Sequence, residues 1–105
     1  MNPLSLPIIL KEHIEYSQDS VVSKTLKQNP AGTITLFAFD AGQGLSEHSA
    51  PFDAVVQVIE GEGHFIIGGE HHDLKEGQLI IMPANVPHAV KAEQKFKMLL
   101  IMLKA

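Results

Sequence analysis

The chain has 105 residues, 45% of them hydrophobic and 19% charged, with a formal net charge of −4. That suits one soluble domain with one core, and the acidic balance without a basic run excludes a general nucleic-acid binder or a membrane-surface protein. There are no cysteines, so disulfides, thiolate nucleophiles and cysteine-ligated zinc are excluded and a cytoplasmic location is expected.

The N-terminus, MNPLSLPIILKEH, has no positive n-region and no small-residue cleavage pattern, so it does not read as a signal peptide. The longest apolar run is too short to cross a bilayer. Residues 4–10 are apolar and broken by Pro7, which suggests an edge strand or a strand start. Residues 11–16 are mixed. Residues 21–26 suit a strand, and Gln28-Asn29-Pro30-Ala31-Gly32 is a turn cluster.

Residues 33–39, TITLFAF, are β-branched and aromatic and predict a strand that ends at the Asp40–Gly44 segment. Residues 54–59 predict the next strand. A turn at Gly61-Glu62-Gly63 leads to a strand over 64–67, and Gly68-Gly69 reads as a hairpin turn. Residues 71–74 precede a turn at 75–77. Strands are expected over 79–82, closed by Pro83, over 88–91 after the Asn85-Val86-Pro87 loop, and over 96–103.

Strands every eight to twelve residues with Gly and Pro between them predict an all-β sandwich or barrel, a single domain over residues 1–105. Two runs, LIIM at 79–82 and MLLIML at 98–103, are apolar at every position. A strand with one wet face alternates, so both runs need burial on two faces. A homodimer is the expected solution; the alternative is that the N-terminal segment covers the second face.

Two stretches carry the candidate chemistry. Residues 42–61 read GQGLSEHSAPFDAVVQVIEG, and residues 77–92 read GQLIIMPANVPHAVKA. They resemble the two motifs of the cupin superfamily, in particular its small single-domain "cupin 2" conserved-barrel members. Motif 1 there is Gly, five residues, His-x-His, three or four residues, Glu, six residues, Gly. This chain has Gly42, His48, Ala50, Ala54 and Gly61 at those places. Motif 2 is Gly, five residues, Pro-x-Gly, two residues, His, three residues, Asn. This chain has Gly77, Pro83, Asn85, His88 and Ala92. The resemblance implies a double-stranded β-helix, or jelly-roll barrel, with both motifs facing its interior.

In that family the two motif-1 histidines, the glutamate and the motif-2 histidine bind a divalent metal. His48 and His88 match two of these ligands and are the candidate metal residues. Ala50 and Ala54 replace the other two, including the only anionic one. Three or four protein ligands are the norm for a tight site. Asp53 is one residue from the glutamate position, so strict alternation turns it to the opposite face, as it does Gln57. His64 fits a solvated strand face, His71 and His72 a solvated hairpin, and His13 has no context.

The pocket is expected to hold His48, His88, Ala50 and Ala54, with Val56, Val58, Met82 and Met98 as apolar lining. Phe52 is a further candidate wall; the other phenylalanines read as core. The first expectation is a protein that binds a small molecule in this pocket through a degenerate metal site. The alternative is a metal-dependent dioxygenase, isomerase or decarboxylase with a two-histidine site. Its cofactor would be one divalent transition metal (iron, nickel, manganese or zinc); the first expectation needs none. A metal-free enzyme using both histidines for proton transfer is the third.

Overall fold

Period-2 alternation broken by Gly and Pro folds the chain into strands almost throughout. The computed structural model describes residues 6–104. Within them lie β1 (Val21–Asn29), β2 (Gly32–Phe39), β3 (Gly44–His48), β4 (Asp53–Glu60), β5 (Glu62–Ile67), β6 (Glu70–Lys75), β7 (Leu79–Met82), β8 (His88–Lys91) and β9 (Phe96–Leu103). One sheet has the order β1-β2-β9-β4-β7 and the other β3-β8-β5-β6, with antiparallel pairing throughout. This is the all-β jelly-roll barrel expected.

Several elements differ from expectation. Residues 6–9 form no strand, and Leu10–Glu12 is a single 3-10 turn; positions 4 and 5 of the expected segment lie outside the described residues. β1 runs on to Asn29, whose side chain accepts from the backbone N–H groups of Ala31 and Gly32 and so closes a two-residue turn. β3 was not anticipated as a separate strand. The Gly61-Glu62-Gly63 segment is no turn: β5 starts at Glu62, and Gly61 alone is the corner where the chain leaves one sheet for the other.

Gly61 has φ +77°, and a Cβ there would lie 2.6 Å from the Lys95 carbonyl oxygen. Glycine is therefore required twice over, for its conformation and for its lack of bulk.

The barrel interior is divided. At one end Phe39, Phe65 and Phe96 are fully buried. Phe39 stacks on Phe96 with ring centroids 4.7 Å apart, and Phe65 meets Phe96 edge-on at 6.0 Å. Val56 and Val58 belong to this packed core. At the other end, along the second half of β9, the interior side chains are aliphatic and sulfur-containing and leave a cavity. Aromatic bulk thus plugs one half and leaves the other open to a site.

The outer face of the five-stranded sheet is half covered. Leu10, Ile14 and Tyr16 pack over Leu36, Ala38, Val22 and Leu99. The Tyr16 hydroxyl donates to Glu60 at 2.6 Å, and the buried Lys97 ammonium donates to the Lys11 carbonyl. Burial, followed by the Glu60 bond and charge, pushes the Tyr16 phenol well above its ordinary pKa. The N-terminal segment is therefore the cover for this part of the face, as the alternative to a dimer required. The rest of the face remains bare: Leu79 and Ile81 on the edge strand β7 are 54% and 55% exposed.

Candidate functional site

β3 and β8 pair at the open end of the barrel. Leu45 faces Val90, but the next matched pair is His48 with His88. Two residues of β3, Ser46 and Glu47, therefore stand opposite Ala89 alone. This bulge reverses the alternation on β3 and brings His48 to the same inner face as Leu45. His88 needs no such device, since it lies two residues from the inward-facing Val90.

The two imidazoles meet at 3.2 Å, Nε2 to Nε2, with ring planes at 69°. His88 is 5% exposed, whereas His48 sits at the solvent side. Each Nδ1 faces a backbone carbonyl: His48 that of Ser46 at 2.8 Å, and His88 that of Val86 at 3.1 Å. A carbonyl oxygen only accepts, so each Nδ1 carries the hydrogen. In the neutral rings each Nε2 is then a bare lone pair, and the two nitrogens lie close together in an edge-on arrangement with no hydrogen between them. Burial holds the His88 pKa below its ordinary value; the Val86 carbonyl opposes this, and the neighbouring His48 adds to it. The pair is thus an acceptor site lacking a donor.

The loop before β8 is fixed from three sides. The Asn85 N–H donates to the Ala50 carbonyl at 2.7 Å, the Gly68 N–H to the Pro87 carbonyl at 2.8 Å, and the Ala84 N–H to the Asp53 carboxylate at 2.9 Å. Asn85, which stands where the motif has glycine, takes the left-handed conformation at φ 66°. Asp53 points away from the pocket, as alternation required, and its use is to anchor this loop.

Between the sheets lies an enclosed cavity of about 80 Å³, lined by Leu45, His48, Ala50, Ala54, Met82, His88, Val90, Met98, Leu100 and Met102. Wider grooves open on the surface, one of about 620 Å³ around His13 and Tyr16 and one of about 430 Å³ beside β3 and β8. Neither is enclosed and neither contains the histidine pair.

His48, His88, Ala50, Ala54, Met82 and Met98 lie where expected. Val56 and Val58 do not line the cavity: they are one and two strand repeats deeper, in the aromatic half. Phe52 also stays out of it, with the Lys104 ammonium 5.6 Å from its ring. Leu45, Val90, Leu100 and Met102 line the cavity and were missed. The alternation of β9 from Met98 would have found Leu100 and Met102.

The remaining histidines lie outside the barrel. His64 donates from Nδ1 to Asp73 at 2.7 Å, and its Nε2 lies 2.8 Å from His71 Nδ1. Each group there has a partner of the right kind, in contrast to the His48–His88 pair.

The family's divalent ion does not fit the residues present. Among the described residues no three His, Asp or Glu side chains are arranged to hold a metal ion. Alanines stand in two of the four donor places, and the nearest carboxylate is turned outward.

No curated protein matches the chain. Solved structures do. The conserved SPY1581 protein of unknown function from Streptococcus pyogenes is 38% identical over 96% of this chain and 89% of its own, with a TM-score of 0.91. A cupin superfamily protein from Desulfitobacterium hafniense is 30% identical over 98% of this chain and 94% of its own, also with a TM-score of 0.91. A cupin 2 conserved barrel domain protein from Leptotrichia buccalis is 44% identical with a TM-score of 0.88; the match covers 90% of this chain and 46% of that one. Residues 35–103 match the family described as the cupin domain, and with the barrel and its two motif strands in place, the chain belongs to the cupin family.

Proposed function

We propose that this protein binds a very small molecule in the barrel cavity, anchored by a hydrogen-bond donor of the ligand that reaches the His48–His88 pair. The observation that carries this is the pair of bare Nε2 atoms 3.2 Å apart above an otherwise apolar lining. His88 is buried, and a buried acceptor left unpaired costs about 1–3 kcal/mol, so a ligand that supplies a donor there gains up to that much over one that does not. The rest of the ligand meets Leu45, Val90 and Leu100 and is apolar.

Size restricts the ligand further. A cavity of about 150 Å³ takes benzene, and drug-sized pockets run to about 300–1,000 Å³. At about 80 Å³ this cavity suits a molecule of a few non-hydrogen atoms. Pyrazole, smaller than benzene and carrying one N–H donor, is a suitable probe; N-methylpyrazole has the same ring without the donor. In metal-free protein, pyrazole is expected to shift the side-chain nitrogen resonances of His48 and His88, and N-methylpyrazole to bind at least tenfold more weakly. Equal binding of the two, or binding of neither, would reject the proposal.

We also infer that the protein is a homodimer. Ile81, Val55, Ile101 and Ile34 form one register-matched row across β7, β4, β9 and β2 on the outer face. Leu79 and Leu103 extend it and are exposed, and among the described residues the N-terminal packing does not include the row. A contiguous apolar face of this kind is unusual on a monomer, and a two-fold axis would bury the row of one copy against the same row of another.

A further inference from the structure

Among the described residues four strands have a free edge: β1 and β7 in one sheet, β3 and β6 in the other. An open edge offers unpaired N–H and C=O groups, and charged side chains commonly guard it. β1 carries Lys24 and Lys27, β3 carries Glu47, and β6 carries Glu70, Asp73 and Lys75. β7 reads LIIM and carries no charge. It pairs with β4 alone, and its Leu79 and Ile81 are more than half exposed. β7 is thus the unguarded edge of the barrel.

A second bare feature lies beside it. Residues 6–9 read LPII, again without a charge, and pair with neither sheet. Leu6, Ile8 and Ile9 are 55%, 45% and 61% exposed. Ile9 is extended, with φ −96° and ψ 111°. The root of this arm is held, because Leu10 packs with Ile14 and Tyr16 on the outer face. Ile9 and Leu10 line one groove with Gln57, Glu76 and Gly77, so the arm leaves the barrel just before the start of β7. Four extended residues span about 13 Å, which matches the four-residue length of β7.

We propose that residues 6–9 of one copy add as a strand to the free edge of β7 in a second copy, and that the second copy's arm does the same to the first. This rests on the dimer reading above and names what joins the two copies. Within one chain the arm and the edge lie close together and both stay bare. A two-fold axis lets each copy cover both, with backbone hydrogen bonds along the edge and apolar contacts beside them. Pro7 sets which side of the arm pairs. It has no N–H, so its backbone must turn to solvent. Alternate residues of a strand point opposite ways, so the N–H groups of Leu6 and Ile8 turn toward β7.

The test uses the full chain. Sedimentation equilibrium compares wild type with Ile8→Pro, which removes one of those N–H groups, and with Ile8→Val, which keeps it. Ile8 is exposed and unpaired within its own chain, so both barrels are expected to keep their β-sheet circular dichroism. The two-fold axis doubles the lost bond, so Ile8→Pro should weaken the dimer about tenfold or more, while Ile8→Val should match wild type. The chain has no cysteine, so Pro7→Cys takes a single spin label at a residue whose backbone does not pair. Mixed with isotope-labelled wild-type chain, the spin-labelled copy should broaden the amides of Leu79–Met82 in the other copy more than those of β1. Broadening of those β7 amides only within the spin-labelled chain itself, or an Ile8→Pro dimer as tight as wild type, would overturn the exchange and leave the dimer standing. A wild-type chain that sediments as a monomer would instead remove the dimer and the exchange with it, so the two failures are distinguishable.

Discussion

His48 and His88 face each other Nε2 to Nε2 at 3.2 Å because a one-residue bulge in β3 turns His48 inward. Both rings are locked through Nδ1 to backbone carbonyls, so neither can rotate its hydrogen toward the other without breaking a bond. In the neutral state neither ring therefore has a hydrogen to offer the other.

The same arrangement gives a pH dependence to the metal-free protein. Burial, and secondarily the neighbouring His48, lowers the His88 pKa in the folded state. The unfolded chain then binds the proton more readily, starting near the ordinary histidine value of about 6.5. The His88 contribution to stability is whole above that pH and is lost as pH falls through the window down to the lowered folded-state pKa. The thermal midpoint of wild-type protein is expected to drop between pH 7 and 5 more steeply than that of His88→Leu. Parallel curves for the two proteins would show that His88 is not held neutral by its site.

Restoring the missing donors should restore the missing ion. Ala54→Glu places a carboxylate between Met82 and Met102, and Ala50→His supplies a third imidazole at the cavity wall. Without metal, the buried charge and added bulk of Ala54→Glu are expected to cost about 1–3 kcal/mol in urea unfolding. With both substitutions, Zn(II) or Ni(II) should bind at least tenfold more tightly than to wild type, seen by calorimetry. Divalent ions should also raise the thermal midpoint by mass action. An unchanged affinity would mean that these two positions do not reach the His48–His88 centre.

The barrel was legible because strand alternation and Gly or Pro punctuation repeat through most of the chain, and because the motif spacings place His48 and His88 correctly. β3 was not legible. Its five residues, GLSEH, carry one aliphatic side chain, and its bulge breaks the period that would have revealed it. Residues 6–10 were misread for the opposite reason: they are apolar enough for a strand, but residues 6–9 pair with neither sheet and stay exposed, and only Leu10 packs, with Ile14 and Tyr16, in the strap across the outer face. The division of the core was also hidden. Val56 and Ala54 share a face on β4, and only the position of the aromatic plug decides which of them meets the cavity.

That strap hangs on few polar contacts. Tyr16→Phe removes the 2.6 Å bond to Glu60 while keeping the ring beneath the Lys97 ammonium, which lies 4.9 Å from its centroid. A hydrogen bond to a charged group is worth about 1.5–3 kcal/mol, so a loss of that order is expected in urea unfolding. Amide exchange should quicken at residues 10–16, with little change at His88. Uniform exchange changes across both sheets would mean that Tyr16 supports the whole barrel and not the strap.

Gly63 tests the aromatic plug. A Cβ built there lies 2.6 Å from Cε2 of Phe96 and 2.9 Å from Cε2 of Phe65. Neither ring has free space, since both are fully buried and Phe96 is stacked on Phe39. Gly63→Ala is therefore expected to cost about 1–3 kcal/mol through overpacking. At about 4–8 °C per kcal/mol for a domain of this size, the thermal midpoint should fall by several degrees. A midpoint equal to wild type would mean that the plug can shift as a unit, and that the boundary between packed core and cavity is soft.

The bare outer face gives the last prediction. Ile101 sits mid-row, paired with Ile34 on one side and Val55 on the other, and Ile81 stands beyond Val55 on the edge strand. If two copies meet through this row, Ile101 lies near the axis and is desolvated from both sides. Ile101→Lys then buries a charge opposite its own symmetry mate and should convert the dimer to monomer in sedimentation equilibrium. Because the position is only partly buried within one chain, the monomer should keep its β-sheet circular dichroism and its pyrazole site. A surface control, Lys24→Glu, lies on the same sheet outside the row and should leave the assembly unchanged. A wild-type protein that sediments as a monomer at high concentration would show that the row serves no second copy.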